Sequence, residues 1–217
     1  MKMLQGFIKV TMTMVLATGV ASAALTVTNP ELTGPSGQTP TGWAVEGLNL
    51  ESDDFRYAGT STAWTGYVLM DMNQQNQESG RMYQQLTGTK EAGTYTWQIT
   101  ELGLADFGDG TDGVLNIGFA TSADGALLDG FVSLTEGVDG FNSPANGGSG
   151  ITKSVSYVSD GTEDLFLVFE RPATTTLTGR SVTSVGSTSL SFVAVPEPSA
   201  AALMALGGLG LLVRRRR

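Results

Sequence analysis

Six Asp-Gly pairs cut this chain into short runs, and that punctuation limits the folds open to it: Asp109-Gly110, Asp112-Gly113, Asp124-Gly125, Asp129-Gly130, Asp139-Gly140 and Asp160-Gly161. Gly accepts positive φ freely and Asp to a lesser extent, so each pair suits a tight turn. Between the turns lie strand signals. GTYTWQIT sets Tyr95, Trp97 and Ile99 against Thr94, Thr96, Gln98 and Thr100, and GVLNIGFA sets Leu115, Ile117 and Phe119 against small or polar partners. A period of two is the pattern of a half-buried strand. KSVSYVSD, EDLFLVFER and STSLSFVAV add three strands, the middle one apolar on both faces and so expected at the centre of a sheet. Trp43 to Leu50, Thr62 to Met72 and Arg81 to Leu86 are further candidates, while DMNQQNQESG and NSPANGGSG read as loops. Apart from the two ends, no stretch shows convincing three-four helical spacing. The pattern predicts an all-β fold, an antiparallel β-sandwich and not a parallel βαβ sheet.

The two ends differ in kind. MKMLQGFIKVTMTMVLATGVASA carries Lys2 and Lys9, then an uncharged apolar stretch, then Ala21-Ser22-Ala23. That is the layout of a secretory signal peptide with an A-x-A cleavage site, and it predicts a cut after Ala23. Val10 to Val20 is too short for the roughly 20 residues of a membrane span. The expected division is therefore a signal peptide at 1–23, a β-sandwich at 24–194 and a separate C-terminal segment at 195–217.

Export gives the missing residue types their meaning. The chain has no Cys and no His, which removes disulfides, thiol chemistry, His-dependent triads and His metal ligands. Without both terminal segments, six basic residues face twenty acidic ones, a net charge of −14. A surface that acidic repels phosphate backbones, so nucleic acid is not an expected partner.

Several short motifs in the first half of the exported part resemble those of galactose-binding-like jelly rolls, including many carbohydrate-binding modules. They are NPELTG, PTGW, a strand ending MYQQL, and AGTYTWQI, with Asn29, Gly34, Pro40, Gly42, Trp43, Gln84 or Gln85, and Ala92 to Tyr95 as the matching residues. The resemblance implies a jelly-roll sandwich and a capacity for glycans. Such modules often use an acid at the start of the last strand for a structural calcium. Here Ser184 to Phe192 holds no acid, which argues against calcium at that place.

The acidic stretch ADFGDGTDG spaces Asp106, Asp109 and Asp112 by three, and Ile117 stands where an EF-hand needs its closing Glu. It reads as two turns with solvated carboxylates, so no metal or other cofactor is expected. Asp53-Asp54 and Glu163-Asp164 could be imagined as glycosidase carboxylates, yet adjacent acids are common in so acidic a chain. The chain is expected not to be an enzyme. Aromatic residues offer the better prospect, because sugar C–H faces stack on rings while hydroxyls pair with amides and carboxylates. Trp64 and Tyr67, with Tyr57 and Tyr83, are the candidate glycan-binding residues; Trp43 and Trp97 are expected in the core.

The last segment is VPEPSAAALMALGGLGLLVRRRR. Pro196 and Pro198 fix φ and disfavour helix before them, and Ser199 suits an N-cap. Ala200 to Val213 is uncharged and is expected to form a single transmembrane helix, roughly 21 Å at about 1.5 Å per residue, short for a permanent anchor. Gly207, Gly208 and Gly210 permit close helix approach, and Arg214, Arg215, Arg216 and Arg217 would hold the terminus in the cytoplasm. The arrangement resembles the PEP-CTERM protein-sorting signal of Gram-negative bacteria. The resemblance implies recognition of Pro196, Glu197 and Pro198 by an exosortase, a transpeptidase-like membrane enzyme, after the export machinery has delivered the chain. The expectation is a transiently inner-membrane-anchored protein, deployed at the cell surface or in extracellular polysaccharide and binding glycan there. The alternatives are a purely structural or adhesive surface protein without a small ligand, and a secreted glycan-active enzyme.

Overall fold

A computed structural model describes residues 25–33, 39–46, 55–57, 68–72, 80–106, 114–135, 150–172 and 181–195. Residues 1–23, expected as a signal peptide, the C-terminal segment from Pro196 onward, Trp64, Tyr67 and the stretch at 109–113, expected as turns, lie outside these residues. Every regular element described is a β-strand, and every strand pairing is antiparallel.

The strands are β1 (Ala44–Glu46), β2 (Phe55–Tyr57), β3 (Val68–Met72), β4 (Gly80–Gln85), β5 (Gly93–Asp106), β6 (Val114–Ala120), β7 (Val132–Thr135), β8 (Ile151–Ser159), β9 (Phe166–Arg171), β10 (Ser181–Val185) and β11 (Ser187–Ala194). One sheet runs β1-β4-β9-β6-β7. In the other, β5 is flanked by β8 on one side and by β10 and β11 on the other, with β3 and β2 beyond β10. Strands β10 and β11 act as one long strand. Their register on β5 continues without a shift from Ser181 opposite Asp106 to Ala194 opposite Gly93.

The predicted alternation decides what faces inward. Tyr95, Trp97 and Ile99 on β5 are fully buried, as are Leu115 and Ile117 on β6 and Leu167 and Phe169 on β9. The sheets meet through rings: Trp97 packs edge-on against Phe169 at 4.8 Å and against Phe119 at 6.4 Å. As its two-faced apolar pattern predicts, β9 is central, lying between β4 and β6. Strand β5 continues past Thr100, where the sequence pattern loses its alternation. Its pairing with β8 shifts register between Ile99 and Leu102, so a bulge returns Leu102 to the core three residues later.

An N-terminal corner closes one end of the sandwich. Asn29 and Leu32 both adopt positive φ, 53° and 52°. The Asn29 amide holds that corner, donating to Thr33 O at 2.7 Å and Thr41 O at 3.0 Å, while its Oδ1 accepts from Thr33 N at 3.0 Å. The buried Gln84 accepts from Thr28 N at 2.7 Å and donates to Thr28 O and Gly42 O at 2.8 and 2.7 Å. Gly42 sits at φ 86°, and a Cβ there would come within 2.8 Å of Thr28 Cγ2. Asn29, Gly42, Trp43 and Gln84 are among the residues that carry the resemblance to jelly rolls. Here each of them serves architecture.

Candidate functional site

One outward surface and one chain end hold chemistry that sequence analysis singled out, and the fold adds a second outward surface. The first surface is the outer face of the β1-β4-β9-β6-β7 sheet. The register places Glu46 (β1), Arg81 (β4), Glu170 (β9), Asn116 (β6) and Ser133 (β7) in one row across it. Arg81 Nε donates to Glu170 Oε2 at 2.7 Å, its second guanidinium nitrogen bonds the same oxygen, and Asn116 Nδ2 donates to Glu170 Oε1 at 3.3 Å. Arg81 also donates to the carbonyls of Ala123 and Gly125 at 3.1 and 2.6 Å. One guanidinium thus ties the 121–131 connection down over the sheet. That cover explains why Val168 is fully buried although its side of β9 faces outward. A Cβ on its neighbour Gly118 would meet Phe131 Cβ at 2.7 Å.

Tyr83 stands on this face, one register row from Arg81. It is the only candidate aromatic whose side chain is described. Its hydroxyl donates to Glu46 Oε1 at 2.8 Å and its ring lies 6.2 Å from Phe166. The bond to Glu46 stabilises the neutral phenol, and with partial burial it raises the Tyr83 pKa. A half-exposed ring beside a carboxylate, a guanidinium and an amide offers both a stacking face and hydroxyl partners. Tyr57 lies on β2, in the other sheet and so apart from Tyr83; its side chain is outside the described set, as are Trp64 and Tyr67 entirely. The four candidates are therefore not shown to converge. Trp43 and Trp97 are core residues, as expected.

The second surface is the outer face of β8, β5 and β11. Rows across it read Ser156-Thr96-Ser191 and Ser154-Gln98-Ser189, with Val158-Thr94-Val193 at one end. No charged side chain occupies these rows. Hydroxyls pair across strands, Thr96 Oγ1 with Ser156 Oγ at 2.9 Å and Thr100 Oγ1 with Ser187 Oγ at 2.7 Å. Sequence reading missed this plane because alternating Ser and Thr looked like ordinary outward filler. Each of the three strands alternates Ser, Thr or Gln outward, but they are far apart in sequence and only their pairing joins them into a plane.

The chain end is the third feature. Strand β11 ends at Ala194, and Val195 N still donates to Ala92 O at 3.2 Å. At the other terminus Thr26 pairs with Thr87, N to O at 2.7 Å. Thr87 and Ala92 bound the single short connection between β4 and β5. Both ends of the described fold therefore leave it at the same pole.

That pole is acidic. The Glu163 carboxyl, followed by the Thr162 hydroxyl and amide, hydrogen-bonds Asp160 and lowers its pKa from 3.8 to about 2. Lys90 pairs with Asp164 at 2.9 Å and lowers its pKa as well. Because the folded pKa of Asp160 is depressed, its contribution to stability is present above pH 3.8 and is lost as pH falls toward about 2. Asp160→Asn keeps an acceptor for Thr162 but no titration. The variant's unfolding midpoint is expected to fall less steeply than the parent's over that window, measured by circular dichroism. Among the described residues no group of side chains could hold a metal ion, and no helix is long and apolar enough to cross a membrane.

Comparison with known proteins places a PEP-CTERM protein-sorting motif at residues 194–217. No curated protein matches the chain. Among solved structures, the enzymatically active domain of tailspike protein 4 from bacteriophage CBA120 aligns with 78% of this chain at 10% identity and a TM-score of 0.40. The chain spans only 21% of that structure's length. A CBM4 structure aligns over 71% of this chain and 97% of its own at 12% identity, TM-score 0.44. TmCBM61, solved in complex with β-1,4-galactotriose, aligns over 70% of this chain and 90% of its own at 11% identity, TM-score 0.41.

Proposed function

We propose that this chain is an exported, non-enzymatic β-sandwich of the galactose-binding-like jelly-roll type, sorted to the cell surface or the extracellular polysaccharide through its C-terminal segment. The observation that carries the reading is the sorting motif, which begins on the last residue of the last strand. The shared exit pole supports it. A domain held by an N-terminal signal during export and by Ala200 to Val213 afterwards needs both ends on the membrane side. In this reading the signal peptide is removed after Ala23 and the exosortase acts near Pro196-Glu197-Pro198. One peptide bond breaks, its acyl carbon passes to water or an amine, and the acceptor's proton ends on the new amino terminus of the released tail.

Once deployed, the domain meets polysaccharide. The Tyr83 face supplies a ring with fixed hydrogen-bonding groups beside it, and the uncharged hydroxyl face of β8, β5 and β11 offers a plane without the repulsion of the acidic surface toward anionic groups. Protein extracted from the cell surface is expected to be retained on the host's own exopolysaccharide. Tyr83→Ala should weaken retention roughly tenfold, the equivalent of about 1.4 kcal/mol. No retention of the parent would remove glycan binding while leaving surface placement intact. The burial of Trp43, Trp97 and Tyr95 favours the second reading, a structural or adhesive role without a small ligand, because it takes three of the large rings away from any surface.

A further inference from the structure

No spacer separates the fold from its sorting motif. Ala194 lies opposite Gly93 in the ladder and Val195 N donates to Ala92 O at 3.2 Å. The next residue is Pro196, which has no N–H, so the ladder has no further donor to offer. An enzyme that cleaves a chain near Pro196-Glu197-Pro198 must hold residues on both sides of the bond, and extended backbone is held through its N–H and C=O groups. On the amino side those residues are Val193, Ala194 and Val195. Of these, Val193 and Val195 turn their backbone groups toward β5, and the Val195 N–H is held by the Ala92 carbonyl. Strand β5 and the processing enzyme therefore compete for the same segment.

The segment is also built to let go. Val193 and Val195 are 70% and 53% exposed, so neither buries enough apolar surface to hold the strand end. Apolar anchoring resumes at Phe192, whose ring sits 4.7 Å from Tyr95. Gly93 allows that close seat: a Cβ there would fall 2.4 Å from Phe192 Cε2 and 2.5 Å from Val193 O. Opening from the end can therefore proceed over three residues and stop at the half-buried Phe192, packed on the buried Tyr95 ring, as strand ends fray in local unfolding.

We propose that pairing of Val193 to Val195 against Ala92 to Thr94 withholds the sorting motif, and that processing occurs from the state in which this end of β11 has left β5. The proposal rests on the sorting reading above. It makes the finished fold an autoinhibitory contact: processing of the folded domain is slower than processing of the same motif on a free linker.

The test follows tail loss in the host by pulse labelling and mass measurement of the full chain. A six-residue Gly-Ser insertion between Val193 and Ala194 frees the motif from β5 without altering it. Gly93→Ala pushes the strand end outward. Thr94→Cys combined with Val193→Cys joins facing residues of adjacent strands in a chain with no other cysteine, closing a disulfide outside the cytoplasm. Tail loss is expected at least threefold faster for the insertion and for Gly93→Ala. It is expected at least threefold slower for the crosslinked protein, with recovery on reduction. Because Gly93→Ala could harm folding, the insertion and the crosslink decide. Both losing the tail at the parent's rate would overturn the proposal while leaving sorting intact. A parent that never loses its tail would overturn the sorting reading and this inference together.

Discussion

Trp97→Ala is expected to be the most damaging single substitution in the described core, lowering stability by about 3–5 kcal/mol. Trp97 is fully buried on β5, the strand that pairs with β8 on one side and with β10 and β11 on the other. Its indole also bridges the two sheets, edge-on to Phe169 at 4.8 Å and Phe119 at 6.4 Å. Truncation removes the transfer energy of the ring and leaves a cavity that rings from the facing sheet cannot fill without leaving their own contacts. Domains of this size hold only about 5–15 kcal/mol in total, so the loss is a large share. At about 2–4 °C per kcal/mol the melting temperature should drop by roughly 6–20 °C. Trp97→Phe should cost clearly less, since it keeps most of the apolar surface and removes a buried Nε1 that has no protein partner. Val158→Ala, at a residue 66% exposed on the outer face of β8, should stay within about 0.5 kcal/mol of the parent. Thermal unfolding of the three variants checks the ranking. A drop no larger for Trp97→Ala than for Val158→Ala would contradict the two-sheet core.

The second large effect concerns fate and not folding. Replacing Pro196, Glu197 and Pro198 together by alanine should reduce tail removal at least tenfold while leaving the melting temperature unchanged. The separation follows from where the described ladder stops: its last strand residue is Ala194, its last described hydrogen bond is that of Val195, and neither proline of the triplet has an N–H to donate. Alanine at all three positions removes two fixed φ angles and the one carboxylate, which are the features a recognising enzyme could read. An immunoblot against the sandwich would show the unprocessed species accumulating. Unchanged processing would mean that the triplet is not what is recognised.

The fold was legible where local chemistry and tertiary structure agree. The Asp129-Gly130 and Asp160-Gly161 pairs are turns with the glycines at φ 89° and 83°, and Gly125 N closes a turn onto Ser122 O at 3.2 Å. Tyr95, Trp97 and Ile99 face inward as their alternation requires. What could not be read is what long-range pairing creates. The bulge after Ile99 breaks the alternation yet keeps Leu102 in the core, and the union of β10 with β11 across Gly186 depends on β5 alongside. The Arg81–Glu170 pair joins residues 89 apart in sequence, and no local pattern announces it. At the candidate site only Tyr83 was placed with its surroundings. Its partner Glu46 is also remote in sequence, and the neutral face of β8, β5 and β11 becomes visible only once three separated strands lie side by side. The sorting segment was the opposite case. Its meaning lies in residue order along one stretch, so it could be read before any fold was known.

The measurement that bears most directly on the central claim is the mass of the protein extracted from the cell surface. A chain that begins after Ala23 and ends near Pro196 to Pro198, lacking Arg214 to Arg217, is the expected result. A surface-extracted chain that still carries Arg214 to Arg217 would contradict processing through the sorting motif.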